Sequence, residues 1–174
     1  MHKAVFLDRD GVINIEKNYL YKIEDFEFIN GVFESLLHLQ NLNYKLFIIT
    51  NQSGIGRAYY TKDDFDKLTR WMIEKFNLEN INILQVEFCP HGPNDNCSCR
   101  KPKTGMIDNI LKNHDIDLSN SWLIGDKTSD IKCAKNANIK NTIQVKSGHD
   151  FDENDSLADF VCESIKEVKN IIVN

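Results

Sequence analysis

The sequence has no run of apolar residues approaching the roughly 20 that a helix needs to cross a bilayer. Its N-terminus, MHKAVFLDRDG, carries a basic residue and an apolar run, but charge ends the run after four residues and no small-residue cleavage site follows. That segment reads as a buried strand and not as a secretory leader. Basic residues are not in excess: 21 Lys and Arg stand against 26 Asp and Glu, a net charge of −5. A generic nucleic-acid binder presents a basic face, so neither nucleic acid nor membrane is an expected partner. A local cluster of cations on an acidic protein can still hold a small anion. The five cysteines are an odd number, which suits a reducing compartment better than a disulfide framework and places the chain in the cytoplasm. Linkers, internal repeats and low-complexity segments are also missing.

What is present is an ordinary globular composition, 41% hydrophobic and 27% charged over 174 residues, which fits one domain spanning 1–174. Short apolar runs alternate with helical patterns. Ala4-Val5-Phe6-Leu7 is continuous and then charged, as a strand buried on both faces should be. Further strands are predicted over 46–50, 83–88, 122–125 and 142–145, and a short apolar run stands at 160–161. Helices are predicted over 31–41, 61–77, 104–114 and 128–137, with another closing the chain. Thr61 followed by Asp64 reads as a helix cap. Residues 146–156, KSGHDFDENDS, read as a polar surface loop. Strand and helix alternate throughout, so the fold class is α/β with a mainly parallel sheet. In such sheets the site lies beyond the carboxyl ends of the strands.

Four features fall at such ends. Asp8-Arg9-Asp10-Gly11 offers two carboxylates that share one site if the chain turns at Gly11. An aspartate can attack phosphorus, and a second carboxyl can protonate the leaving oxygen and later deprotonate water. Taken alone, the pair reads more readily as solvated loop acids. Thr50-Asn51-Gln52-Ser53-Gly54 offers hydroxyls, amides and backbone N–H groups to a phosphate oxygen, or a tight turn. Arg100-Lys101-Pro102-Lys103 offers charge to a transferring phosphoryl group and a bidentate grip on a second anion, or a solvated cluster. Gly125-Asp126-Lys127-Thr128-Ser129-Asp130 offers carboxylates to Mg²⁺. There Asp130 is either part of the metal site or an acid in a first helical turn, where the dipole favours it.

A fifth feature is the segment Cys89-Pro90-His91 with Cys97-Ser98-Cys99, three thiols and one imidazole within eleven residues. Cys₃His is a tetrahedral zinc set, and four protein ligands leave no open position, so the role is structural. It leads directly into Arg100 and Lys101, whose direction it would fix. Cys133 and Cys162 have no such neighbours and read as core residues.

Taken in order, Asp8-x-Asp10, Thr50, Lys101 and Gly125-Asp126-x-x-x-Asp130 resemble the four motifs of the haloacid dehalogenase superfamily of phosphotransferases, over residues 4–131. The resemblance implies a Rossmann-like three-layer fold. It implies Asp8 as nucleophile, Asp10 as general acid and base, and Thr50 and Lys101 as holders of the phosphoryl group. It implies Mg²⁺ held by Asp8, Asp126 and the backbone carbonyl of Asp10. Neither inter-motif interval has room for a large inserted domain, so a capless enzyme with an open site is expected. Cys-Pro-His and Cys-x-Cys-Arg-Lys-Pro, with Asp-Arg-Asp-Gly, Thr-Asn-Gln-Ser-Gly and Gly-Asp-Lys, are similar to one branch of that family. It holds D-glycero-D-manno-heptose 1,7-bisphosphate 7-phosphatases and histidinol-phosphatase domains.

That similarity puts Glu16, Lys17, Asn18 and Tyr19 in a flap over substrate, and Asn51, Gln52 and Ser53 on the sugar phosphate. Arg100 and Lys127 would recognise its remote groups. Gly92 stands where a second histidine is common in the branch, and Lys103-Thr104 departs from its pattern before Gly105. The expected activity is removal of the 7-phosphate of the heptose bisphosphate during nucleotide-activated heptose biosynthesis, by a monomer. The alternative is a histidinol-phosphate phosphatase. A nucleic-acid 3′-phosphatase conflicts with the acidic balance, and a zinc-loop module without catalysis conflicts with the complete motif set.

Overall fold

The computed structural model describes residues 1–173. Six strands, β1 (Ala4–Leu7), β2 (Lys45–Asn51), β3 (Ile83–Cys89), β4 (Trp122–Gly125), β5 (Asn141–Val145) and β6 (Phe160–Cys162), form one sheet in the order β3-β2-β1-β4-β5-β6. Every pairing is parallel. The helices are α1 (Val32–Asn41), α2 (Ser53–Gly56), α3 (Lys62–Leu78), α4 (Gly105–Asn113), α5 (Thr128–Asn136) and α6 (Val168–Ile171).

The unbroken apolar character of β1 follows from burial on both faces. Val5 and Leu7 pack with Leu36 of α1, with Leu68, Met72 and Phe76 of α3, and with Val168 of α6. Ala4 and Phe6 turn to the opposite layer, where Met106, Ile107 and Ile110 of α4 meet Cys133 and Ala134 of α5. The result is the three-layer α/β sandwich expected, and the interval between β1 and α1 holds only a flap with one 3-10 turn.

The strand order reverses between β1 and β4, and this crevice is where such sheets bind ligands. Leu7 is in register with Ile124, and the Asp8 N–H donates to the Ile124 carbonyl at 3.0 Å. The first acids beyond the two strands, Asp8 and Asp126, are therefore neighbours by construction.

Three segments differ from the sequence reading. The single turn of α2 was not anticipated, because Ser-Gly-Ile-Gly has poor helix propensity. The closing helix shrinks to a 3-10 turn at Ile165–Glu167 and the four residues of α6, which packs against α1. The start of the 146–156 segment is not simply surface: Ser147 and His149 reach the sheet's switch point.

The Thr61 cap is present as a reciprocal box, with the Asp64 N–H donating to Thr61 Oγ1 at 3.1 Å and the Thr61 N–H to Asp64 Oδ2 at 2.9 Å. Thr61→Ala is expected to lower stability by about 1 kcal/mol, measured as a shifted urea midpoint with an unchanged m-value.

Candidate active site

The floor of the site is a buried ammonium between carboxylates. Lys101 Nζ lies 2.8 Å from Asp8 Oδ1, 2.7 Å from Asp130 Oδ1 and 3.0 Å from the Ile49 carbonyl. Asp130 Oδ2 accepts from the Lys127 N–H at 2.9 Å, so this acid both caps α5 and fixes the lysine. Lys101 comes from the loop after β3, and that loop is anchored twice. Asn51, the last residue of β2, accepts from the Lys101 N–H at 3.0 Å and donates to its carbonyl at 3.3 Å. The other anchor is the cluster of Cys89, His91, Cys97 and Cys99, whose ligand atoms all lie within 4.8 Å of one another. Arg100 then donates to the His91 carbonyl at 3.0 Å.

Electrostatics at the floor are set by burial. Burial raises the Asp8 carboxyl well above its ordinary range, opposed by Lys101 and reinforced by Asp130 and Asp126. Burial, with Asp130 beside it, pushes Asp126 up to about 6. Lys101 is held protonated: burial disfavours its charge, but Asp130 and Asp8 outweigh that.

Asp10 has a different setting. Burial would raise it, yet the Arg9 guanidinium and hydrogen bonds bring it below its ordinary value. Arg9 Nη2 and Asn14 Nδ2 each donate to Oδ1 at 3.0 Å, and Gln52 Nε2 donates to Oδ2 at 3.0 Å. Gln52 also donates to Thr50 Oγ1 at 2.8 Å and accepts from the Tyr60 hydroxyl. Arg9, only 1% exposed, bonds the Leu20 carbonyl at 3.0 Å as well, tying the flap to Asp10.

A cleft of about 390 Å³ opens above this floor. Asp8, Asp10, Glu16, Asn18, Tyr19, Asn51, Gln52, Ser53, Arg100, Lys101, Lys127 and Asp130 line it. Thr50 and Asp126 lie beneath, buried. Lys17 is turned away: its Nζ donates to the Asp25 carbonyl at 2.8 Å and pairs with Glu27 at 3.4 Å. The flap turns sharply because Asn18 and Tyr19 take left-handed φ values of 46° and 54°, and the Asn18 N–H bonds Glu16 Oε1 at 2.7 Å.

Four residues that sequence reasoning did not single out belong to the site. Arg9 is only the spacer of Asp-x-Asp at the level of sequence. Arg57 and Tyr60 follow α2 and line the cleft. His149 also lines it and bonds Asp126. The adjoining Asp-Arg-Asp and Thr-Asn-Gln-Ser-Gly runs were signals for Arg9 and Arg57, whereas nothing in a polar loop marked His149.

Comparison with known proteins fits this geometry. A family model described as HAD-hydrolase-like matches residues 98–168. Over 177 residues, 98% of each chain, the sequence is 44% identical to D-glycero-beta-D-manno-heptose-1,7-bisphosphate 7-phosphatase of Helicobacter pylori. The chain belongs to the haloacid dehalogenase superfamily of phosphatases. It is also 46% identical, over 97% of its length and 94% of the relative's, to D-glycero-alpha-D-manno-heptose-1,7-bisphosphate 7-phosphatase of Campylobacter jejuni. Among solved structures, D,D-heptose 1,7-bisphosphate phosphatase of B. bronchiseptica, complexed with magnesium and phosphate, matches with a TM-score of 0.83 at 26% identity, covering 97% of both chains. As a member of this superfamily the protein is a phosphoric monoester hydrolase. No helix among the described residues is long and apolar enough to cross a membrane.

A phosphatase floor of crowded acids costs stability. Asp126 is raised in the folded state, so folding favours its protonated form and the cost grows as pH rises from its unfolded value towards about 6. Asp126→Asn is expected to stabilise the protein in magnesium-free buffer at pH 7.5 by about 1–3 kcal/mol, from a shift of about two pKa units. The gain should vanish near pH 4. Calorimetric melting of both proteins across that pH range checks it.

Proposed function

We propose that the protein removes the 7-phosphate from D-glycero-D-manno-heptose 1,7-bisphosphate through an aspartyl-phosphate at Asp8, supplying heptose 1-phosphate for nucleotide-activated heptose biosynthesis. The observation that carries this reading is the division of charge in the cleft. The floor has one buried cation, Lys101, already engaged by Asp8 and Asp130. The rim has three, Arg57, Arg100 and Lys127, none paired with a carboxylate among the described residues. A floor for one phosphoryl group and a cationic rim for another suit a small bisphosphate. The named relatives are heptose-bisphosphate phosphatases, so histidinol phosphate is not the favoured substrate.

The acids fit magnesium. Oxygens of Asp8, Asp126 and Asp130 lie within 4.8 Å of one another, and Asp126 Oδ1 is buried with no hydrogen-bond partner among the described residues. That is a hard-oxygen set of the kind Mg²⁺ takes. Asp8 and Asp126 would hold it with the Asp10 carbonyl, while Asp130 is occupied with Lys101. When bound, magnesium neutralises phosphoryl charge so that an anionic nucleophile can approach.

Asp8 attacks phosphorus as the bond to O7 breaks, and Asp10 gives its proton to the departing O7. The incoming phosphoryl charge favours the protonated form of Asp10 that this step needs. Asp10 then takes a proton from water, whose oxygen attacks the aspartyl-phosphate and releases phosphate and the free Asp8 carboxylate. Lys101 offsets the charge that develops on the phosphoryl oxygens, and Thr50 and Ser53 position them. Asn51 acts through the backbone of Lys101, which it grips from both sides.

The Cys₃His cluster fits zinc. Thiolates about 2.3 Å from a tetrahedral centre stand about 3.8 Å apart, and Cys89 Sγ to Cys97 Sγ is 3.8 Å. His91 presents Nδ1, 3.5 Å from Cys89 and 3.3 Å from Cys99. Zinc there would fix the loop that delivers Arg100 and Lys101, in a reducing cytoplasm that keeps the thiols available.

The deciding experiment compares phosphate release from both anomers of heptose 1,7-bisphosphate and from histidinol phosphate with Mg²⁺. One anomer of the bisphosphate should give the highest kcat/KM, and Asp8→Asn should lower it on the order of 10³-fold or more. A preference for histidinol phosphate overturns the substrate, and an active Asp8→Asn protein overturns the nucleophile. Freshly purified protein should contain one equivalent of zinc, and Cys97→Ser should lose zinc and activity together. Full activity without zinc would remove its structural role.

A further inference from the structure

We infer that His149 is a positioning residue: it sets the rotation of Asp126 so that one carboxylate oxygen faces the catalytic cation. The inference rests on the magnesium-dependent reading above and deepens it.

Both oxygens of Asp126 are accounted for, and unequally. Oδ2 accepts two hydrogen bonds, from the His149 backbone N–H at 2.9 Å and from Nδ1 of the same residue at 2.6 Å. Oδ1 is buried and accepts none among the described residues. An ionised carboxylate can only accept, so Nδ1 is the donor in this contact. Two donors from one residue converging on one oxygen leave the carboxylate a single favourable rotation. A carboxylate oxygen of Asp126 lies within 4.8 Å of oxygens of Asp8 and Asp130, and Oδ1 is the one that no hydrogen bond engages among the described residues. Outer partners of this kind orient metal ligands in general.

The segment carrying His149 is built for close approach. Ser147 Oγ donates to the Gly11 carbonyl at 2.7 Å, across the sheet's switch point. At Gly148 a Cβ would stand 2.1 Å from Asp126 Oδ2, so no larger residue lets the loop descend this far. Gly11, at φ 85°, turns the first motif's loop to meet it. Ser147, Gly148 and His149 thus close over Asp126 from the end of β5. The Ser147 hydroxyl and the His149 backbone N–H already tie the loop down, and the imidazole is an additional donor with 40% of its side chain exposed. An exposed ring adds little to folding, which points to the carboxylate as its purpose.

The test reads Mg²⁺ binding by calorimetry on zinc-loaded protein without substrate, for the parent, His149→Ala and His149→Asn. Ala keeps the backbone donor and loses the ring. Its Mg²⁺ dissociation constant should rise about 10–100-fold, with an unchanged circular dichroism spectrum. Asn offers an N–H close to the position of Nδ1, and should bind within a few-fold of the parent. An Ala variant that binds Mg²⁺ like the parent overturns the inference. So does an Asn variant more than about tenfold weaker than the parent, and this arm decides the matter alone if Ala fails to fold. Failure of the substrate assignment is separable, because the binding measurement contains no sugar phosphate. A parent that binds no Mg²⁺ at millimolar concentration defeats both.

Discussion

The ammonium of Lys101, sunk between Asp8 and Asp130, is the interaction on which the site depends. Three carboxylates cannot share a dry crevice without a compensating charge, because desolvation penalises each one and each penalises the others. Lys101 supplies that charge, yet no strand or helix carries it. It arrives on a loop with little apolar content of its own, and that loop must be held from outside. Asn51 grips the backbone at Lys101 itself, and the Cys₃His cluster gathers the residues from Cys89 to Cys99 just before it. The thiols and the floor of the site are thus parts of one mechanical chain, running from cluster to loop to ammonium to Asp8.

A second network governs Asp10, and it is built from neutral donors around one buried guanidinium. Arg9 faces Asp10 and the Leu20 carbonyl at once, and Gln52 faces Asp10, Thr50 and the Tyr60 hydroxyl. Tyr60 in turn stacks on Tyr21 with centroids 5.2 Å apart. The flap, the second motif and Asp10 therefore share one hydrogen-bond network. The two aspartates two positions apart in sequence are held in opposite electrostatic settings, Asp8 raised by burial against the pull of Lys101 and Asp10 lowered by Arg9 and its hydrogen bonds. Separated acidities of this sort are how one site runs nucleophilic and acid–base steps together.

Much of this was legible in the sequence, for a physical reason. Buried parallel strands are short, apolar and terminated by charge, so Asp8, Thr50 and Asp126 announce themselves by position. The Cys and His spacing is equally local. What could not be read is whatever depends on chain reversal in three dimensions. Arg9 lies between two acids, and its burial follows only from the flap folding back over it. Lys17 looks like its flap neighbours, but the left-handed turn at Asn18 and Tyr19 sends it to Asp25 and Glu27. His149 stands in a polar, acidic stretch with no period. It reaches Asp126 because β5 neighbours β4 and two small residues let the loop drop. The brief α2 escaped notice because it has no repeating apolar stripe, whereas the tail has one, Ile165, Val168 and Ile172, which is buried although the helix there is only four residues long.

The floor and the rim of the cleft answer different demands. The floor needs only to hold a phosphoryl group and two aspartates, and any phosphate monoester satisfies it. Relatives at 44% and 46% identity bear names that differ in the anomer of the same sugar. With the 7-phosphoryl group on Lys101, as proposed, the anomeric phosphate would lie at the opposite end of the sugar, towards the rim. There Arg57, Arg100 and Lys127 stand on three different connections of the fold. The flap adds side chains aimed by two left-handed residues, an arrangement costing roughly 1 kcal/mol for each non-glycine residue. Such strain persists where the surroundings impose it, and here Arg9 imposes it through the Leu20 carbonyl. On the proposed reading, selection among sugar phosphates would fall to these few rim groups, which stand apart from the floor where the phosphoryl group is handled.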